Sequence, residues 1–191
     1  MKRKLMVGTL LLCAVFVGGC GASGPKLDVR VGGQDSTLNV KSSGVYYGNV
    51  ISTAPGKPDV QTFAHNIYLA NYELDTTSGL TMRKPLTAPD QMRVELQLTG
   101  EDRTKTDSPF KVGTYSAKAD KFNRVRSIIV VTFADGKETK TDFDTMGFTP
   151  KADGDVKITA VTADSISGEV NLTEGDNSIR GTFMARLPKA K

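Results

Sequence analysis

From Lys26 onward, apolar residues recur at every second position in short runs, and Gly, Pro, Asp and Asn separate the runs. Period two marks a strand with one face in a core and the other in water. No amphipathic helical stretch interrupts the pattern. Met92, Val94, Leu96 and Leu98 alternate with Arg93, Glu95, Gln97 and Thr99. This predicts a strand of an antiparallel sheet, one face dry and one face wet. The run from Ser127 to Phe133 is apolar on both faces, which predicts a central strand. Asp135-Gly136 then predicts a tight hairpin turn, because Gly readily takes positive φ. The return strand, 137–143, carries Lys137, Lys140 and alternating Thr, as suits an edge strand guarded against further pairing.

The last third of the chain reads as a meander. Val156, Ile158 and Ala160 share one face of its first strand, and Ile166, Val170 and Leu172 one face of the next. Ile179, Phe183, Ala185 and Leu187 share a face of the last. Turns are expected at Ala163-Asp164 and at Glu174-Gly175-Asp176-Asn177. Gly168 and Gly181 fall on inward faces, where a missing Cβ allows close backbone approach or a bend. Earlier strands are expected over 27–31, 37–41, 45–51, 63–74 and 110–117, with a short helix as the alternative for 63–74. Gly32-Gly33 reads as a turn. The sum is about ten strands in a single all-β domain, an antiparallel β-sandwich or an open barrel. The longest stretch without a strand pattern is 75–91; 100–109 and 144–154 are the others.

The first twenty residues follow a different rule. Lys2, Arg3 and Lys4 precede an apolar run over 5–17, and small residues then lead to a cysteine. This is the layout of a secretory signal. Thirteen apolar residues make about 20 Å of helix, short of a hydrocarbon core of roughly 30 Å. The junction Val17-Gly18-Gly19-Cys20 resembles the lipobox of bacterial lipoproteins. The resemblance implies a thioether-linked diacylglycerol on Cys20, cleavage after Gly19, and acylation, as with palmitate, of the new amine. Two or three chains anchor durably where one does not. Residues 1–19 would then be removed, 20–25 would form a flexible tether, and 26–191 the β domain. Cys13 would leave with the leader. Gly21 stands where an Asp would resemble an inner-membrane retention signal, so in a two-membrane cell the resemblance favours the outer membrane.

The leader also changes the charge picture. The 191 residues carry a net charge of +4, but without the three basic leader residues 22 basic face 21 acidic side chains. The electrostatic case for nucleic acid goes with them. One His and two Cys exclude a Cys/His zinc cluster, an iron–sulfur site and a disulfide framework. His65 lies inside an apolar run with no Gly-x-Ser-x-Gly elbow elsewhere, which reads as a core histidine rather than a catalytic base. Asp142, Asp144, Asp153 and Asp155 gather around one loop, and Glu174 and Asp176 mark another. Such oxygens suit calcium, yet Asp-Gly pairs are ordinary turn chemistry, and no metal or other cofactor is expected. Tyr46 and Tyr47 face opposite sides of a strand, whereas Tyr68 and Tyr72 share a face; without Trp, a sugar platform is disfavoured.

The expected protein is therefore a lipid-anchored envelope protein outside the cytoplasm, with a non-catalytic binding or accessory role. The alternatives are a calycin-like carrier of a small apolar ligand and, last, a carboxylate-based hydrolase. A filled apolar core would favour the first, a large lined cavity the second. Its partners would be the membrane, through Cys20, and another envelope protein. The candidate partner loop is 75–91, where Leu80 and Met82 stand beside Arg83 and Lys84. The competing reading is that Leu80 and Leu86 pin this loop onto the sheet.

Overall fold

A computed structural model describes residues 24–52, 60–119, 121–146 and 149–188. The leader, the lipobox and Cys20 lie outside the described residues. The strands are β1 (Lys26–Val31), β2 (Gln34–Asn39), β3 (Ser42–Tyr46), β4 (Asn49–Ser52), β5 (Val60–Ala70) and β6 (Met92–Thr99). They continue with β7 (Gly113–Ser116), β8 (Arg124–Ala134), β9 (Lys137–Phe143), β10 (Asp153–Val161), β11 (Ser165–Glu174) and β12 (Asn177–Arg186). One helical turn, α1 (Gly79–Met82), stands between β5 and β6.

All twelve belong to one curled sheet ordered β2-β1-β12-β11-β10-β7-β8-β6-β5-β3, with β4 also on β5 and β9 also on β8. The fold is all-β, an open half-barrel. Every strand pairing is antiparallel except the short parallel contact of Ser116 with Arg124, between β7 and β8. The sheet curls because the chain leaving β2 at one end enters β3 at the other. Lys41 N–H donates to Ala70 C=O at 2.8 Å, and Arg186 N–H on β12 donates to the Ser43 hydroxyl on β3 at 3.3 Å. One face of each strand fills the inside. Leu27, Leu38, Ile67, Leu69, Val94 and Leu98 are among the fully buried residues there, and Ile158, Ile166, Leu172 and Ile179 meet them from the meander. Burial of such side chains contributes roughly 1.5–3 kcal/mol each.

Turn chemistry sets the hairpins as the residues demand. Gly32 (φ 58°) and Gly33 (φ 77°) join β1 to β2, and Asp135 (φ 52°) and Gly136 (φ 76°) join β8 to β9. In the meander, the Phe183 ring lies where a Cβ on Gly168 would sit, 2.6 Å away. Strand β8 is interior to the sheet, and β9 pairs with β8 alone among the described residues.

The strand limits differ from the sequence pattern in several places. The expected 45–51 strand is two strands, β3 and β4, broken at Tyr47-Gly48, where Gly48 C=O accepts from Ala64 N–H at 2.7 Å. The expected 37–41 strand starts earlier, at Gln34, because the Gly32-Gly33 turn is tight. Residues 63–74 form no helix; β5 runs from Val60 to Ala70. Only 113–116 of the expected 110–117 strand is paired. A register shift between Ile158 and Ala160 turns Ala160 outward and brings Val161 to the core side.

The expected wet face of β6 is the largest departure. Arg93 is 1% exposed and Glu95 8%. Segment 72–86 crosses this face and dries it. Ser78 caps α1, its hydroxyl accepting from Thr81 N–H at 3.1 Å, while Ser78 N–H donates to the Thr81 hydroxyl at 3.0 Å. The Met82 sulfur then sits 2.8 Å from where a Cβ on Gly44 of β3 would be, and the Tyr46 ring meets Gly79 the same way. Leu86 is buried and its N–H donates to Glu138 Oε2 at 2.9 Å.

Candidate functional site

Three places hold chemistry that the alternation alone does not explain: the ion-pair hub under the strap formed by segment 72–86, the histidine at one end of the half-barrel, and the mouth at the other.

At the hub, Arg93 Nε donates to Glu95 Oε1 at 2.8 Å, and one terminal nitrogen donates to the Tyr72 hydroxyl at 2.8 Å and Lys84 C=O at 2.9 Å. Arg83 Nε is 3.3 Å from Glu95 Oε2, and its guanidinium lies 5.7 Å over the Tyr68 ring. Burial alone would lower the Arg93 pKa; the bonds to Tyr72 and Glu95 outweigh it and leave it raised. Every group here is spent on another protein group, so the hub holds the strap to the sheet.

The four candidate partner residues, Leu80, Met82, Arg83 and Lys84, lie on this strap. Met82 is buried at 2% exposure, Arg83 is engaged with Glu95, and Lys84 Nζ reaches Asp75 Oδ2 at 2.7 Å. Leu80, 85% exposed, is the member of the four that faces water without packing beneath it, and it does not pin the loop. Leu86 does.

His65 points into the interior at the end away from the mouth. Its ring stacks on Phe63 at 4.2 Å and meets Tyr47 at 4.4 Å and Phe110 at 4.9 Å. It is fully buried, and neither ring nitrogen has a well-formed hydrogen bond among the described residues. Burial pushes its pKa down to about 4, against an upward pull from the backbone of Ser108 and Ala64. A neutral imidazole inside a cage of Phe63, Tyr47 and Phe110 is a core residue. The acidic residues around 142–155 are likewise dispersed. Asp153 pairs with Lys118 at 2.6 Å, and Glu174 accepts from Asp144 N–H at 2.8 Å. Among the described residues, no group of three His, Cys, Asp or Glu side chains is placed to hold a metal ion.

The mouth is a cleft of about 560 Å³. Two edge strands supply its walls. Cross-strand partners share a face, so the pairs Val29–Ser36 and Val31–Gln34 place Ser36 and Gln34 on the inward face above buried Leu38. On β9 the same logic places Thr141 and Thr139 above buried Phe143. Each strand therefore grades from apolar to hydroxyl or amide toward the rim. Thr132 of β8 and Met92 of β6 line the floor. The far wall is braced: Asn71 Oδ1 accepts from Met92 N–H at 2.8 Å, and its Nδ2 donates to Asp90 C=O at 2.6 Å. Asp90 is the only ionisable residue lining the cleft among the described residues.

Sequence reasoning missed this cleft. The usable signal was the Thr139-x-Thr141-x-Phe143 alternation, which puts hydroxyls on the same face as a core aromatic. No family model, no curated protein and no solved structure matches the chain. Among the described residues, no helix is long and apolar enough to cross a membrane.

Proposed function

We propose that this chain is a lipid-anchored envelope protein, held by acylated Cys20, whose β domain recognises a partner without catalysing a reaction. The mouth carries this reading. Its volume falls within the roughly 300–1,000 Å³ of ligand sites, and its inward hydroxyl and amide groups supply hydrogen bonds rather than a nucleophile beside a base. The packed apolar interior, aliphatic and aromatic, weighs against a carrier of a small apolar molecule. The leader supports the location: its basic, apolar and small-residue succession ends in Val17-Gly18-Gly19-Cys20.

Two measurements test the proposal. Labelled palmitate should enter the wild-type chain and not Cys20→Ser, which should leave the membrane fraction. A photocrosslinking residue at Thr139 should give a discrete adduct in intact envelopes, while one at exposed Glu169 on β11 should not. Equal labelling of both chains would overturn the anchor, and equal adducts at both positions would overturn the mouth as the binding site.

A further inference from the structure

Strand β2 has an unpaired edge among the described residues, and the mouth lies along it. Gly32 and Gly33 form a two-residue turn with both residues left-handed, which makes Val31 and Gln34 a hydrogen-bonded pair. Antiparallel pairs alternate, so Arg30–Asp35, Asp28–Thr37 and Lys26–Asn39 are the non-bonded pairs. The next pair confirms the count: Val40 N–H donates to Pro25 C=O at 3.1 Å. Asp35, Thr37 and Asn39 consequently aim their backbone N–H and C=O away from β1. Among the described residues none bonds to those groups.

The other edge at the mouth is protected. By the same count from the Asp135-Gly136 turn, Glu138, Lys140 and Asp142 are the outward-bonding positions of β9, and all three are charged. Charge is a common guard against further pairing, as are Pro and bulges. Residues 34–39 of β2 contain no Lys, no Pro and no bulge, and of its three outward-bonding positions only Asp35, paired with Arg30 at 2.9 Å, is charged.

The cleft also runs beside the edge rather than beneath one face, because inward Ser36 and outward Thr37 both line it. Across it stand Thr139 and Thr141. A space of about 560 Å³ admits one extended segment, not a second sheet edge with its own flanking strand. With Asp90 the single ionisable lining residue, an uncharged segment suits it best.

We infer that the mouth binds a partner by strand addition: an extended, uncharged peptide segment pairs with the free edge of β2 and fills the gap toward β9. Main-chain bonds to Asp35, Thr37 and Asn39 supply the binding, and alternate side chains meet the threonines and Met92. This deepens the reading of the mouth as the partner site and rests on it.

The test uses the full chain in detergent micelles, panned against a phage-displayed library of uncharged linear heptapeptides. The best binder is synthesised, together with an analogue N-methylated at alternate residues. Thr37→Pro removes one outward N–H and leaves the backbone ladder to β1 intact, losing besides only the exposed Thr37 hydroxyl's bond to Asp28; it should keep a β-rich circular dichroism spectrum and weaken binding at least tenfold. N-methylation of the peptide, which leaves the protein untouched, should do the same. The amides of Thr37 and Asn39 should gain protection from hydrogen exchange. Recovery of no binder, or binders indifferent to both changes, overturns strand addition. If Thr141→Trp abolishes binding while Thr37→Pro and N-methylation do not, the mouth binds through side chains and only the strand pairing fails. If none of the three matters, the mouth itself fails as the site. A dimer of the free chain that dissociates on Thr37→Pro would make the occupant a second copy and overturn the peptide assignment.

Discussion

The meander β10–β12 and the strands β5 and β6 begin from similar alternating sequences and end in different surroundings. Along β11, Ile166, Gly168, Val170 and Leu172 are buried while Glu169 and Asn171 stay in water, as period two requires. Along β5 and β6 the outward residues Thr62, Asn66, Tyr68, Arg93 and Glu95 are buried as well. The difference lies outside the strands. Among the described residues nothing crosses the outer face of β11, whereas segment 72–86 lies over β3, β5 and β6, and the Thr104 hydroxyl meets that of Thr62 at 3.0 Å. A polar outward residue is therefore optional in the meander and structural under the strap, where it needs a partner to be tolerated.

Substitution at the hub should separate the two regions most widely. Arg93→Ala leaves the Glu95 carboxylate buried with only the half-exposed Arg83 beside it. A loss of about 3–5 kcal/mol is expected in urea unfolding, the usual cost of breaking a buried pair. Asn171→Ala on β11 should stay within about 0.5 kcal/mol. Arg93→Met with Glu95→Leu should recover most of the loss, since replacing both partners removes the stranded charge. Equal effects of Arg93→Ala and Asn171→Ala would mean that the strap does not cover β6.

A pH effect of similar or smaller size is expected from the inner face of β5. The unfolded chain protonates His65 near pH 6.5, while the folded chain resists until about pH 4. The unfolded state thus binds more protons between these values, and stability falls as pH drops from about 6.5 to 4, by about 3 kcal/mol in all. Above pH 6.5 His65 contributes no slope. His65→Phe should flatten that interval in pH-resolved unfolding, and an unchanged slope would place the sensitivity elsewhere.

The smallest contrast lies within the strap. Met82→Ala opens space against Gly44 and should lower stability by about 2 kcal/mol or more. Leu80→Ser, two residues away, exchanges an exposed side chain and should stay within about 0.5 kcal/mol. Thermal melts of the two variants measure this. Matching shifts would mean that α1 docks by its other face.

Much of the fold was legible because strand alternation and hairpin turns are local. Gly32-Gly33, Asp135-Gly136 and Gly175 need positive φ whatever surrounds them, so β1–β2, β8–β9 and β11–β12 could be read as hairpins from a few residues each. The polar edge character of β9 was legible for the same reason. Less local features were not. The shift that exchanges Ala160 for Val161 depends on the partner strand β11, and the break at Tyr47-Gly48 on packing against β5.

The chain by itself determined that it would form strands, where most of them turn, and which face of each carries the apolar side chains, because these follow from bond geometry and solvation at each residue. Tertiary structure alone decided which polar residues are dry and where a cleft opens. Arg93 is buried because a strap reaching it from Tyr72 and Lys84 happens to close over it. The mouth exists because curling of the sheet brings Ser36 opposite Thr139, about a hundred residues apart. Periodicity reports a residue's neighbours along the chain; burial of charge and the walls of a site depend on contacts that only the curled sheet makes.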